Sequence, residues 1–326
     1  MSTLLTKPKK YFMFYLTVVL LLAHPESVEA HLIGGAHSDT FNPWDVDLLA
    51  LFLLTVIAII YLRGHGIIRA KYKGQRPSTK IRSRAYQFWA GWLLLVTALV
   101  SPLDPLGEHL FTAHMIQHEL LMLAAGPLLI ASRAGSAIVL GAKIIAVPVL
   151  QATTGRGNTL SSVLKALLTP IGAWLLHFTL LWAWHIPFLF NASLSNNWVH
   201  SLQHICFLMI SLIFWYSILR STGDRSMQAI VSLFSTAIHA SALGALLTFS
   251  PVIWYTDYGD RTQAWGLSPL QDQQLGGLIM WMPAGIIFIA VALMMLGRYL
   301  RANQFDNSVN PEVIINSDDA TSRPVE

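Results

Sequence analysis

Apolar residues run almost unbroken through seven stretches of the chain, approximately 46 to 62, 85 to 101, 110 to 131, 166 to 187, 199 to 219, 229 to 250 and 275 to 297. Such runs, bounded by polar connections, match the roughly 20 residues an α-helix needs to cross a bilayer. The pattern predicts an all-α integral membrane protein of about seven transmembrane helices, with its helical domain over 46–300. The 132 to 165 connection departs from it. Its apolar part, Ser136 to Val149, is short and holds Lys143 and Pro148, so it reads as an interfacial or re-entrant piece and not as an eighth span. Ahead of the first span, Lys7, Lys9 and Lys10 precede an apolar stretch from Tyr11 to Ala23, and Val28-Glu29-Ala30 offers a small-x-small cleavage site. That order predicts a signal peptide over 1–30 and an exported segment over 31–45. The polar residues 301–326 predict a disordered cytoplasmic tail.

Composition sharpens the picture. The chain of 326 residues is 54% hydrophobic and only 12% charged, against roughly 25% charged in soluble domains. Its single cysteine, Cys206, excludes an intramolecular disulfide and a Cys-rich metal cluster, so any metal chemistry rests on His, Met, Asp or Glu. The formal charge of +4 reflects loop orientation and not a nucleic-acid partner; the partner it implies is the lipid bilayer. Arg63, Arg69, Lys71, Lys73, Arg76, Lys80, Arg82 and Arg84 fall between the first two predicted spans, and further basic residues follow the third, fifth and seventh. The opposite loops hold Arg261 alone. Positive charge stays cytoplasmic, which places the mature N-terminus outside and the C-terminus inside.

The outer side carries acids and histidines. Asp45, Asp47, Asp104, Glu108, Asp257, Asp260 and Asp272 lie in or beside outer loops, and His109, His114, His118, His185, His200 and His204 fall in outer loops or outer halves of spans. His114 and His118 are four residues apart, about 6 Å along a helix axis and on one face, so that two imidazoles can close on one metal. His200 and His204 repeat the spacing on the fifth span, and His185 ends the fourth. Neutral imidazole suits copper, zinc, nickel and iron, and nearby Met115 and Met122 offer thioethers that favour reduced copper. Asp104, Glu108 and His109 sit where they can capture an ion or orient an imidazole. An exposed His31, with His37 nearby, offers a further N-terminal copper site. Glu119, His177 and His239 lie deeper, without an assigned role. The sequence holds no P-loop, no nucleophile elbow and no dinucleotide fingerprint, and Met122 stands where a zincin needs its second histidine after His118-Glu119. No catalytic residues are assigned; the chain reads as a non-enzyme.

Ser101 to His109, Thr112 to His118, Trp182 to Pro187, His200 to His204 and Asp272 to Gly277 together resemble the multi-spanning CtaG-type cytochrome c oxidase assembly factors, over about Trp44 to Arg298. The resemblance implies a bacterial cell-membrane protein that serves maturation of a haem-copper oxidase, with oxidase subunits and periplasmic copper chaperones as partners and copper as the ion carried. Two departures from the family's pattern are Gln203, where Glu is frequent, and Phe190-Asn191, where Tyr and an acid are frequent. Two alternatives stay open on the residues alone. One is a membrane electron-transfer protein holding haem b between histidines of different helices, for instance His118 with His177 or His239; the other is a metal-free assembly scaffold.

Overall fold

The computed structural model describes residues 41–71, 78–142 and 159–309. The expected signal peptide, His31, His37, Lys143, Pro148 and the tail beyond 309 lie outside the described residues. Among the described residues the regular structure is helical throughout. Helices α1 (Leu48–Ala70) and α2 (Thr79–Leu99) are followed by a short α3 (Leu103–Gly107). Helix α4 begins as Phe111–Glu119, passes through a π-helical turn over Leu120–Ala125 and resumes as Gly126–Ala131. Next come α5 (Gly135–Gly141), α6 (Thr159–Leu167), α7 (Pro170–Trp184), α8 (Pro187–Ser195), α9 (Asn197–Leu219) and α10 (Asp224–Thr248). A 3-10 segment, Thr256–Trp265, leads into α11 (Pro269–Val309).

Each of the seven apolar stretches coincides with a helix, yet length and apolarity qualify fewer of them to cross a membrane. Five single helices qualify: α1, α4, α9, α10 and α11. The pair α7 and α8, bent by 69°, makes a sixth if it is one broken span. Helix α2 falls short because Lys80, Arg82 and Arg84 occupy its first turns. The expected seven is therefore five or six on this criterion. At seven residues, α5 is too short to cross, and it packs along α1. Helix α11 continues to Val309, eight residues beyond the boundary expected at Arg301.

Local chemistry sets the helix ends on the side that carries the histidines, the side expected to face outward. Asp47 caps α1 by accepting from the Leu49 and Ala50 amides at 2.8 and 3.0 Å, and Asn196 caps α9 through the Trp198 and Val199 amides. Pro187, at the first turn of α8, cannot continue the ladder of α7, which ends at His185. Trp44, Trp198 and Trp265 are exposed, as interfacial anchors would be, whereas Trp184 is buried in the core.

The Asp272-Gln273-Gln274-Leu275-Gly276-Gly277 motif works as a joint. Helix α4 has no side-chain cap of its own, and Asp272 supplies one from α11, accepting from the Phe111 and Thr112 amides at 2.6 and 3.0 Å. Gln273 accepts from the Trp254 amide and donates to the Val252 carbonyl, and Gln274 donates to the Ser250 carbonyl. Glycine is required at the last position, where a Cβ on Gly277 would lie 2.7 Å from the Thr248 amide nitrogen and 2.8 Å from the Gly244 carbonyl. The sequence pattern marks Asp272 as one more outer acid; in the fold it fixes the outer end of the helix that carries His114 and His118.

Candidate functional site

The four-residue spacing puts His114 and His118 on one face of α4, with ring centres 4.3 Å apart, and does the same for His200 and His204 on α9. The two faces meet. His114 lies 5.4 Å from His200 and 5.9 Å from His204, and His118 lies 5.5 Å from His204, between ring centres. Ligand-capable nitrogens of His114, His118 and His204 all fall within 4.8 Å of one another. A second trio, Asp104 with His200 and His204, meets the same limit, so His204 is common to both. Donors of a tetrahedral metal at 2.0 to 2.1 Å stand about 3.4 Å apart, and small rotations of these side chains cover the difference.

All of these groups are buried. Neither ring nitrogen of His118 meets a partner in hydrogen-bond geometry, nor does Nε2 of His204, whereas His114 is within reach of the Gln203 side chain and the Gly107 backbone. Buried polar atoms in that condition are costly, which is the expected signature of donors arranged for something other than each other. Phe190 and Phe207 wall the cluster, their rings 5.0 Å from His114 and 4.4 Å from His118 respectively.

His185, at the end of α7, sits within electrostatic reach of His114 and His118 but belongs to neither trio. Its Nδ1 donates to the Leu181 carbonyl at 2.7 Å, which fixes the tautomer and leaves a buried Nε2 with its lone pair free of partners. The Tyr255 hydroxyl holds the His185 carbonyl at 3.0 Å. His109 stands apart from the cluster: its Nδ1 bonds the Pro105 carbonyl at 3.0 Å, and its ring packs on Phe41. The pairings considered for haem are not formed. His118 meets His114, His204 and Phe207, whereas His177 meets His239.

An acidic mouth leads to the cluster. Asp47, Asp104, Glu108, Asn197, His200 and Ser201 line one cavity between the outer ends of α1, α3 and α9, and the Ser201 hydroxyl donates to Asp47 at 3.0 Å. Burial pushes the Asp104 carboxyl well above the usual carboxylate range. Nearby Glu108 adds to that, and a hydrogen bond from the Gln117 amide at 2.5 Å opposes it. Arg261 closes the loop over this region by donating to the Glu108 carbonyl at 3.0 Å.

The spacing argument finds the histidines, Asp104 and Glu108, and misses their supports. Gln117 is buried and ties Asp104 to the Ala98 carbonyl, and Gln203, equally buried, lies beside His114. Both glutamines directly precede the second histidine of a pair, so a shared His-x-x-Gln-His pattern is the signal that finds them. Asp47 and Asp272 carry no such signal, because their roles depend on contacts across the chain.

The histidines, both glutamines, Asp104, Glu108 and Asp272 lie within the part of the chain that the family comparison covers. The profile of the cytochrome c oxidase caa3 assembly factors (Caa3_CtaG) matches residues 59–302. The chain belongs to that family of membrane proteins. It is also similar to two uncharacterized mycobacterial proteins, from Mycobacterium bovis and Mycobacterium tuberculosis, each 25% identical over 271 residues. That match covers 80% of this chain but only 40% of either relative, so the chain spans less than half their length. No solved structure matches it.

Proposed function

We propose that the protein takes up copper at the outer face of a bacterial cell membrane and passes it to a haem-copper oxidase under assembly. It acts as a carrier and not as an enzyme, with oxidase subunits and periplasmic copper chaperones as its partners. Asp47 and Glu108 draw the cation into the mouth, and Asp104, held protonated by burial, gives up its proton as the ion binds. His114, His118, His200 and His204 then bind it, with the Nε2 of His185 as a fifth donor within reach. The observation that carries this reading is the meeting of two His-x-x-Gln-His faces that brings ligand-capable nitrogens of His114, His118 and His204 within 4.8 Å of one another. Copper is favoured over zinc by the buried thioethers of Met115 and Met122 on the same helix, which suit the reduced ion.

The reading includes seven crossings, with α2 among them and α7 with α8 as one broken span, the mature N-terminus outside and the C-terminus in the cytoplasm. The positive-inside rule supports it, since the basic residues from Arg63 to Arg84 join α1 to α2. Labels at Arg69 or after Arg301 then report cytoplasm and labels at Asp260 report the outside; opposite accessibility at two of these positions overturns the topology. The carrier itself is tested by replacing His118 and His204 with Ala. Each variant should lose bound copper and lower oxidase activity in cells while its amount in the membrane stays near normal. Wild-type copper content and wild-type oxidase activity in both variants would end the reading.

A further inference from the structure

Deeper in the bundle a second pair of imidazoles has no part in the outer cluster. His177 on α7 and His239 on α10 are buried, with ring centres 5.7 Å apart. Nδ1 of His177 and both ring nitrogens of His239 lack hydrogen-bond partners, so the two rings are not bonded to each other through His239. Aromatic rings pack on both: Phe214 and Phe288 against His177, Phe178 and Trp174 against His239. Three buried imidazole nitrogens without partners, on two rings set edge to face, are costly to keep as packing alone. Two imidazoles on opposite sides of one ion, with metal–nitrogen bonds of about 2.0 Å, have ring centres about 6 Å apart, close to what is seen here.

The pair also lies in line with the outer cluster. His177 is eight residues before His185 on α7, about 12 Å deeper along the axis. One face of α9 joins the two places: Phe207 touches His118, and Phe214, two turns on, touches His177.

We propose that His177 and His239 form a second, deeper station that binds one monovalent copper ion between two imidazole nitrogens. A soft, singly charged ion suits this place, because two neutral donors satisfy it in a linear arrangement and no carboxylate stands beside it to neutralise a second charge. The inference rests on the copper reading of the outer cluster, and its test separates the two.

Purified full-length protein in detergent is titrated with Cu(I) under reducing conditions against a chromophoric chelator, for wild type, His177→Gln, His239→Gln and the double variant His118→Ala/His204→Ala. Wild type should hold two ions. Each inner variant should hold one, its retained outer ion reporting an intact fold. The outer double variant should also hold one, and X-ray absorption should find that ion with two nitrogen neighbours. If the inner variants bind as many ions as wild type, or the outer double variant binds none, the deeper station is overturned while the outer site stands. If wild type binds no copper, both readings fall. A Soret band that disappears in the inner variants assigns the pair to haem and overturns the proposal as well.

Discussion

The outer cluster and the deeper pair use the same side chain in opposite surroundings. Around His114, His118, His200 and His204 stand Asp104, Gln117 and Gln203, with a mouth lined by further acids, so the imidazoles have polar neighbours and a way in. The neighbours seen around His177 and His239 are the aromatic rings of Phe214, Phe288, Phe178 and Trp174. A site that captures an ion from water needs charge at its edge and supports that hold its donors in place; a site that receives an ion already stripped of water needs neither. The difference also runs through the helices. Each outer pair is held on one helix by local spacing, while the inner pair exists only because α7 and α10 pack together.

That contrast breaks first at the outer ligands. Replacing His118 or His204 by Ala removes a donor from the trio and should weaken copper binding by more than about 100-fold, beyond the range set by loss of a supporting partner; chelator competition measures it. Next is Gln117→Leu, which deletes the bond to Asp104 and leaves the Ala98 carbonyl unmet. A loss of about 10-fold to 100-fold in copper affinity is expected there, with the deeper ion unaffected. Equal weakening of both ions would mean that the polar support is not particular to the outer cluster.

Removing the joint to α11 sharpens the same contrast through stability. Asp272→Ala leaves two amides at the start of α4 without acceptors and should cost about 2 kcal/mol, seen as a lower melting temperature. Because His114 is one turn away, outer copper should weaken too, whereas Asp272→Asn keeps one acceptor and should fall between. The smallest effect is expected for His65→Ala. His65 stacks on Tyr61 near the inner end of α1, far along the chain from either pair, and both copper ions and oxidase activity should be unchanged.

The sequence makes the outer cluster legible because both of its pairs repeat inside single helices, where a spacing of four residues has one geometric meaning. The mouth is partly legible for a similar reason: Asp104 and Glu108 lie on the short approach to His114. His109, in the same approach, turns away because its nearest partner is the Pro105 carbonyl one turn back. Asp272, the His177–His239 pair and the bond of Asp47 with Ser201 are not legible, since each joins residues tens of positions apart or more, whereas Asp47 as cap of α1 is a local feature. Span counting reads helix positions well; the stretches that do not qualify as single crossing helices by length and apolarity are α2, where three basic residues share a helix with an apolar run, and α7, where Pro187 begins a new helix at 69° to the old one. It also ends α11 too early, for polarity beyond Arg301 does not stop a helix that has no breaker before Val309.

The π-helical turn at Leu120–Ala125 carries one residue more than the α-helical path would need. It turns the Met122 carbonyl outward, where the Ser211 hydroxyl and the Trp215 indole of α9 donate to it at 2.9 and 2.8 Å. In terms of phase, that extra residue is an offset of about 100° between the two halves of α4. The inner half is seated on α9 by those two donors, and the outer half is clamped by Asp272. Deleting a single residue from the turn would restore a continuous α-helix and rotate the halves against each other. With both ends fixed, either His114 and His118 swing away from His204, or the Met122 carbonyl leaves its donors. The angular meeting of the two histidine faces is thus set by a count of residues well below them.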